Sequence, residues 1–179
     1  MFPKAHAVAY VTMAFRVAYY KVNFPKAFYI AYFSVRAGDF DSEIMAKGIN
    51  VARNAMQELL DKKKNNTITP KEENVIPILE ICIEMYARGL TFTPIDLYKS
   101  HAVNFLPCDE GIIPPLNALV GMGENAAKSI QEARENGPFK TIEDLKQRTA
   151  ITRTTIELMQ KNHYLDNLPE SDQVTLFDI

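Results

Sequence analysis

Gly121-Met122-Gly123-Glu124-Asn125-Ala126-Ala127-Lys128-Ser129-Ile130 decides the reading of this chain. Two glycines separated by one residue precede a run with a small residue and an aliphatic residue at helical spacing, Ala127 and Ile130. Glycine adopts positive φ without a Cβ penalty and leaves neighbouring backbone N–H groups uncovered. A helix starting behind it presents unpaired N–H groups and a partial positive charge at the same place. Together these features form a cradle for an anion, and phosphate fits it.

The flanks extend this reading. Leu116, Leu119 and Val120 recur at helical spacing, so a short helix is expected before the glycine turn. Ala127 offers little bulk where two helices would cross. Downstream, Ile142-Glu143-Asp144-Leu145 and Ile156-Glu157-Leu158-Met159 predict two more short amphipathic helices, with Thr141 and Thr152 as N-caps. The whole resembles a helix-hairpin-helix module, which grips the sugar-phosphate backbone without reading sequence. The second half looks degenerate: its turn, Thr149-Ala150-Ile151-Thr152, has no glycine. By the resemblance, duplex backbone meets the N–H groups near Gly121, Gly123 and Glu124, with a screened charge from Lys128. Arg148 and Arg153 are candidate phosphate contacts at the second turn.

With 179 residues, 47% of them hydrophobic, the chain has enough apolar material for one or two small domains. No apolar run reaches the length of a membrane span, because His6, Arg16 and Lys21 interrupt the apolar start, which also lacks a signal-peptide pattern. The expectation is a cytoplasmic protein that does not contact membrane. Cys82 and Cys108 are too few and too far apart for a disulfide scaffold or a zinc site. No metal-ligand set is expected, and His101 and His163 stand without a partner at ligand spacing. The net charge is −2, unusual for a free-standing nucleic-acid binder, but it is unevenly spread. Residues 1–38 carry five bases and no acid, residues 116–163 are slightly basic, and the stretch from 164 carries four acids and no base.

Local signals predict mainly helix with a small β element. Ala5 to Tyr20 is apolar on nearly all faces and is expected to be buried. Ala27 to Val35 resumes a helix after Pro25. Asp39-Phe40-Asp41-Ser42 reads as the start of a helix running to about Leu60, so Asp39 and Asp41 are expected to be helix-start acids rather than a metal pair. Thr69-Pro70-Lys71-Glu72-Glu73 opens another helix that reaches about Ala87, with a break or kink expected at Pro77. Leu90–Thr93, Val103–Leu106 and Gly111–Ile113 read as short strands.

In this order the blocks resemble the C-terminal end of the PolC-type family C replicative DNA polymerases of Gram-positive bacteria. The blocks are Phe2 to Val11, Phe28 to Phe33, Leu79 to Gly89, Asp96 to Ser100, Pro114 to Ala118, and Glu143-Asp144-Leu145 with Arg148. The resemblance implies a layout: residues 1–89 as the helical end of the fingers, 90–113 as a β-containing connector, 114–168 as a tandem helix-hairpin-helix module, and 169–179 as a flexible tail. It implies that Lys4 and His6 face phosphates and that Tyr10 packs near the nascent base pair, although Val8 stands where a smaller residue is commoner. The family's catalytic aspartates and Mg2+ lie in a palm domain absent from this chain. No catalytic residue and no cofactor are therefore expected here, and the chain alone is expected to be inactive. The tail stretch Gln173-Val174-Thr175-Leu176-Phe177 resembles the bacterial sliding-clamp-binding motif, with Gln173 at a pocket rim and Leu176 and Phe177 in an apolar groove. The partners implied are primer–template duplex, the sliding clamp and the remainder of the polymerase. A DNA-repair protein with a helix-hairpin-helix, or a helical adaptor with no nucleic-acid role, are the competing readings.

Overall fold

A computed structural model describes residues 3–171. The chain is mainly helical. Helices α1 (Lys4–Asn23), α2 (Pro25–Val35), α3 (Ser42–Met45), α4 (Ile49–Lys64) and α5 (Pro70–Ala87) come first. A connector holds the two short strands β1 (Leu106–Pro107) and β2 (Ile112–Ile113). Helices α6 (Glu124–Glu135), α7 (Ile142–Arg148) and α8 (Arg153–Lys161) follow.

The helix from Asp39 to Leu60 expected from the sequence is two helices. Gly48 takes φ +104, which breaks the helical ladder and starts α4 afresh. Asp41 caps α3 by accepting the Glu43 N–H at 2.9 Å, a structural task for that acid. At α5 the sequence signals hold: Thr69 and Glu72 form a reciprocal capping box, with Pro70 in the first turn. Of the break or kink expected at Pro77, the break does not occur: α5 runs through it. An interior proline costs about 3 kcal/mol, but burial of Ile76, Ile78, Leu79, Cys82 and Met85 along the same helix offsets it. Burial also pushes the Cys82 thiol up to about 12.

The β element is smaller than expected. β1 and β2 pair antiparallel, Leu106 with Ile113 and Pro107 with Ile112. Leu90–Thr93 contributes one parallel bridge, Phe92 to Ile112. Side chains add to these backbone bonds in holding the connector: Phe33, Phe40, Phe92 and Phe105 meet with ring centroids 4.9–5.8 Å apart. The His101 Nδ1 accepts the N–H groups of Val103 and Asn104, each at 3.1 Å, and so shapes the loop before β1. The buried core is continuous from Tyr29 to Leu165, so the connector and the last three helices share one interior.

Contrary to expectation, no residue of α1 is buried. Tyr10 is 67% and Phe15 72% exposed. Its C-terminal part is pinned by Lys21, whose ammonium lies 2.6 Å from Glu84, and it packs on α2. Val8, Tyr10, Val11, Met13 and Phe15 are each more than half exposed. No helix among the described residues is long and apolar enough to cross a membrane.

Candidate nucleic-acid interface

The short helix expected at Leu116–Val120 is a single 3-10 turn, Leu116–Ala118, held by Leu116 and Asn117 N–H bonds to the carbonyls of His101 and Ala102. Leu119 leaves the turn with extended torsions, φ −74 and ψ 127, which end it there. The chain then turns through Gly121 at φ +83, a conformation that favours glycine, and enters α6 at Gly123. Ala127, Ile130 and Ala133 bury the inner face of α6. Gly121, Gly123, Glu124 and Lys128 all lie on the outside.

The entry to α6 lacks a side-chain cap. Gly123 has ordinary extended torsions, φ −71 and ψ 160, and no heavy atom would lie within 4 Å of a Cβ there. The fold accepts a side chain at 123; the glycine leaves the mouth of the helix open. Lys128 lies 2.6 Å from Glu124 one turn back, so its positive charge is partly met by a carboxylate beside the turn.

The second hairpin is closed. Thr141 caps α7 by accepting the Asp144 N–H at 2.9 Å, and the N–H groups of Ile142 and Glu143 donate to the carbonyls of Pro169 and Glu170. Thr152 caps α8 by accepting the Thr155 N–H at 3.2 Å. Arg153, the first residue of α8, points outward with its side chain 85% exposed and pairs with Glu157 at 2.9 Å.

Arg148 is occupied inside the fold. Its guanidinium donates to the carbonyls of Ala133, Gly137 (3.0 Å) and Pro138 (3.2 Å) and to the Asp144 carboxylate (3.1 Å), and it lies 4.7 Å from the centre of the Phe139 ring. It closes the C-terminal end of α6 onto α7, with its side chain 26% exposed. Sequence reasoning missed this task because a basic residue beside a turn reads equally well as a phosphate contact. It also missed three tethers. Arg134 ties α6 to the connector through the carbonyls of Leu97 (2.9 Å) and Ser100 (2.8 Å). Ser129 and Thr155 bridge the two hairpins.

Lys4, His6 and Tyr10 are all exposed on α1, and the His6 and Tyr10 rings lie 4.5 Å apart edge to face. Gln173, Leu176 and Phe177 fall outside the described residues. Among those described, no group of three or more His, Cys, Asp or Glu is placed to hold a metal ion.

Residues 89–174 match the helix-hairpin-helix motif family. The DNA polymerase III PolC-type proteins of Caldanaerobacter subterraneus subsp. tengcongensis and Clostridium perfringens are each 51% identical to this chain over 177 residues, and that of Bacillus cereus is 49% identical over 177. Each match covers 99% of this chain and 12% of the relative. With this identity along nearly its whole length, and a helix-hairpin-helix segment where the glycine turn lies, the chain belongs to the PolC-type DNA polymerase III family and corresponds to a C-terminal portion of it.

Proposed function

We propose that this chain is the part of a replicative DNA polymerase that holds primer–template duplex and tethers the enzyme to the sliding clamp. The observation that carries the reading is the open mouth of α6: an exposed left-handed glycine turn followed by a helix start with no side-chain cap. Backbone N–H groups near Gly121, Gly123 and Glu124 bind phosphate oxygens, and Lys128 and Arg153 add screened charge. Contacts of this kind position a protein on the backbone and carry no sequence information, which suits an enzyme that must travel over any template.

The remaining parts follow from the same reading. Lys4 and His6 face nucleotide phosphates and Tyr10 lies near the nascent base pair, while the remainder of the polymerase covers the apolar faces of α1. Gln173, Leu176 and Phe177 dock on the clamp. Linking these contacts raises their effective local concentration, so individually weak grips sustain processive synthesis. The Mg2+ ions and catalytic carboxylates belong to a palm outside this chain, which is inactive as a polymerase by itself and acts in the cytoplasm, away from membrane.

The test is binding of a labelled primer–template duplex across a salt series, for the wild type, Gly123→Val and the double variant Gly121→Val with Gly123→Val. The reading expects wild-type affinity that falls steeply with salt and ignores sequence. Gly123→Val, whose torsions and open surroundings accept the side chain, should fold and bind at least about tenfold more weakly, and the double variant should not bind. A folded wild type that ignores duplex at low salt, or valines without effect, would overturn it and favour an adaptor role.

A further inference from the structure

The two hairpins exchange hydroxyl groups. Thr155, in the first turn of α8, is 3% exposed. Its hydroxyl stands 2.8 Å from the Thr152 Oγ1 and 3.4 Å from the Gly121 carbonyl oxygen. A carbonyl can only accept, so the Thr155 proton is directed at Gly121 and the Thr152 hydroxyl donates to the Thr155 Oγ1. The cap of the second hairpin thus reaches the glycine turn of the first. The converse bridge starts in α6. The Ser129 hydroxyl donates to the Ala126 carbonyl and accepts the Ala150 N–H, both at 2.8 Å, and Ala150 belongs to the second turn. A side chain from each hairpin therefore holds the other's turn.

We infer that this reciprocal pair of bridges sets the register between the two turns, and that Thr155 is a positioning residue for the phosphate grip. The inference rests on the hairpin reading above. Gly121 has greater backbone freedom than any residue with a side chain. A tether on its carbonyl confines the peptide planes on either side, which aim the N–H groups of the cradle. Donors already aimed in the free protein lose less entropy on binding. Thr155 does this without touching DNA, because its side chain is buried beneath the turn. The glycine-free turn 149–152 then serves as the platform from which the glycine turn is held.

Two substitutions at one position separate hydroxyl from packing. Thr155→Val keeps the β-branched shape and loses the hydroxyl; Thr155→Ser keeps the hydroxyl and loses a buried methyl. Duplex binding across a salt series and Tm would be measured for both and for the wild type. Thr155→Val should bind about fivefold more weakly, the worth of one hydrogen bond, with an unchanged salt slope because no phosphate contact is lost. Thr155→Ser should bind like the wild type although its Tm falls by about 2–4 °C. Ser129→Ala, in a half-buried helical position that suits alanine, should bind about threefold more weakly at unchanged Tm. Affinity that follows Tm rather than the hydroxyl, or wild-type affinity in Thr155→Val or in Ser129→Ala, overturns the inference and leaves the hairpin reading standing. A wild type that does not bind overturns the hairpin reading, and this inference with it.

Discussion

A glycine stands at the mouth of α6, and threonines stand at the mouths of α7 and α8. The first hairpin is open, and its only charged neighbours on α6 are an exposed ion pair, Glu124 with Lys128. The second is filled: Thr141 and Thr152 take first-turn amides, residues 169 and 170 take two more, and Arg148 closes the far end. Every amide occupied inside the fold contributes to stability and is lost to ligands. The difference between the halves is therefore a division of labour: one helix start has no side-chain cap, while both helix starts of its neighbour carry one.

Removing Arg148 should break this division most severely. Arg148→Met keeps the stem over Phe139 but strips four hydrogen bonds from three carbonyls and Asp144. The expected cost is about 3 kcal/mol of stability, since hydrogen bonds from a charged group are worth more than neutral ones. The salt slope of duplex binding should stay unchanged while the protein remains folded. A slope reduced by about one would mean that Arg148 does contact a phosphate, and would merge the two halves functionally.

The comparison also marks what could be read from the sequence. Helix starts were legible where a side chain does local work: Thr69, Thr141 and Thr152 each bond the amide three residues on, a relation carried by spacing alone. Gly121 was legible because glycine has few uses before a helix. Distant partners hid the rest. Whether Arg148 reaches Ala133, fifteen residues earlier in the chain, depends on where the last turn of α6 is placed. Pro77 reads as a breaker, yet its helix survives because neighbouring residues bury themselves in the core. The apolar pattern of α1 gives its composition but not what covers it. The strand-like residues 90–93 form one bridge, in which Ile112 donates to the Thr91 carbonyl and accepts the Thr93 N–H, and Phe92 packs among the aromatic rings beside it.

A smaller change sharpens the contrast by making the first hairpin resemble the second. Gly123→Asp supplies the missing cap at a position with room for it. Stability should rise by a few tenths of a kcal/mol, about the difference between glycine and aspartate as N-cap. Duplex affinity should fall about tenfold, because the carboxylate occupies the amides and repels phosphate. Denaturant midpoint and affinity should thus move in opposite directions. If both rise together, the open mouth of α6 is not where the phosphate sits.

The smallest effect is electrostatic and has opposite pH limbs in the two halves. In the second hairpin the Lys140 N–H, 3.0 Å away, holds the Asp144 carboxyl below its usual range, with Arg148 adding to it and partial desolvation opposing it. A carboxyl with a lowered folded pKa contributes stability that is full above its unfolded value and is lost as pH falls through the folded one. In the first hairpin the hydrogen bond to Glu124 holds the Lys128 ammonium above its usual range. That contribution is full below the unfolded lysine value and is lost as pH rises through the folded one. Asp144→Asn should therefore flatten the acid limb of the denaturant midpoint, which reaches below the usual aspartate range, and leave the alkaline limb alone. Lys128→Gln should do the reverse. Lys128 is exposed and Asp144 half-buried, so salt should shrink both effects, that of Lys128 more. An acid limb indifferent to Asp144→Asn would remove the carboxylate from the list of contacts that close the second hairpin, leaving the threonine caps and Arg148 to account for the difference between the halves.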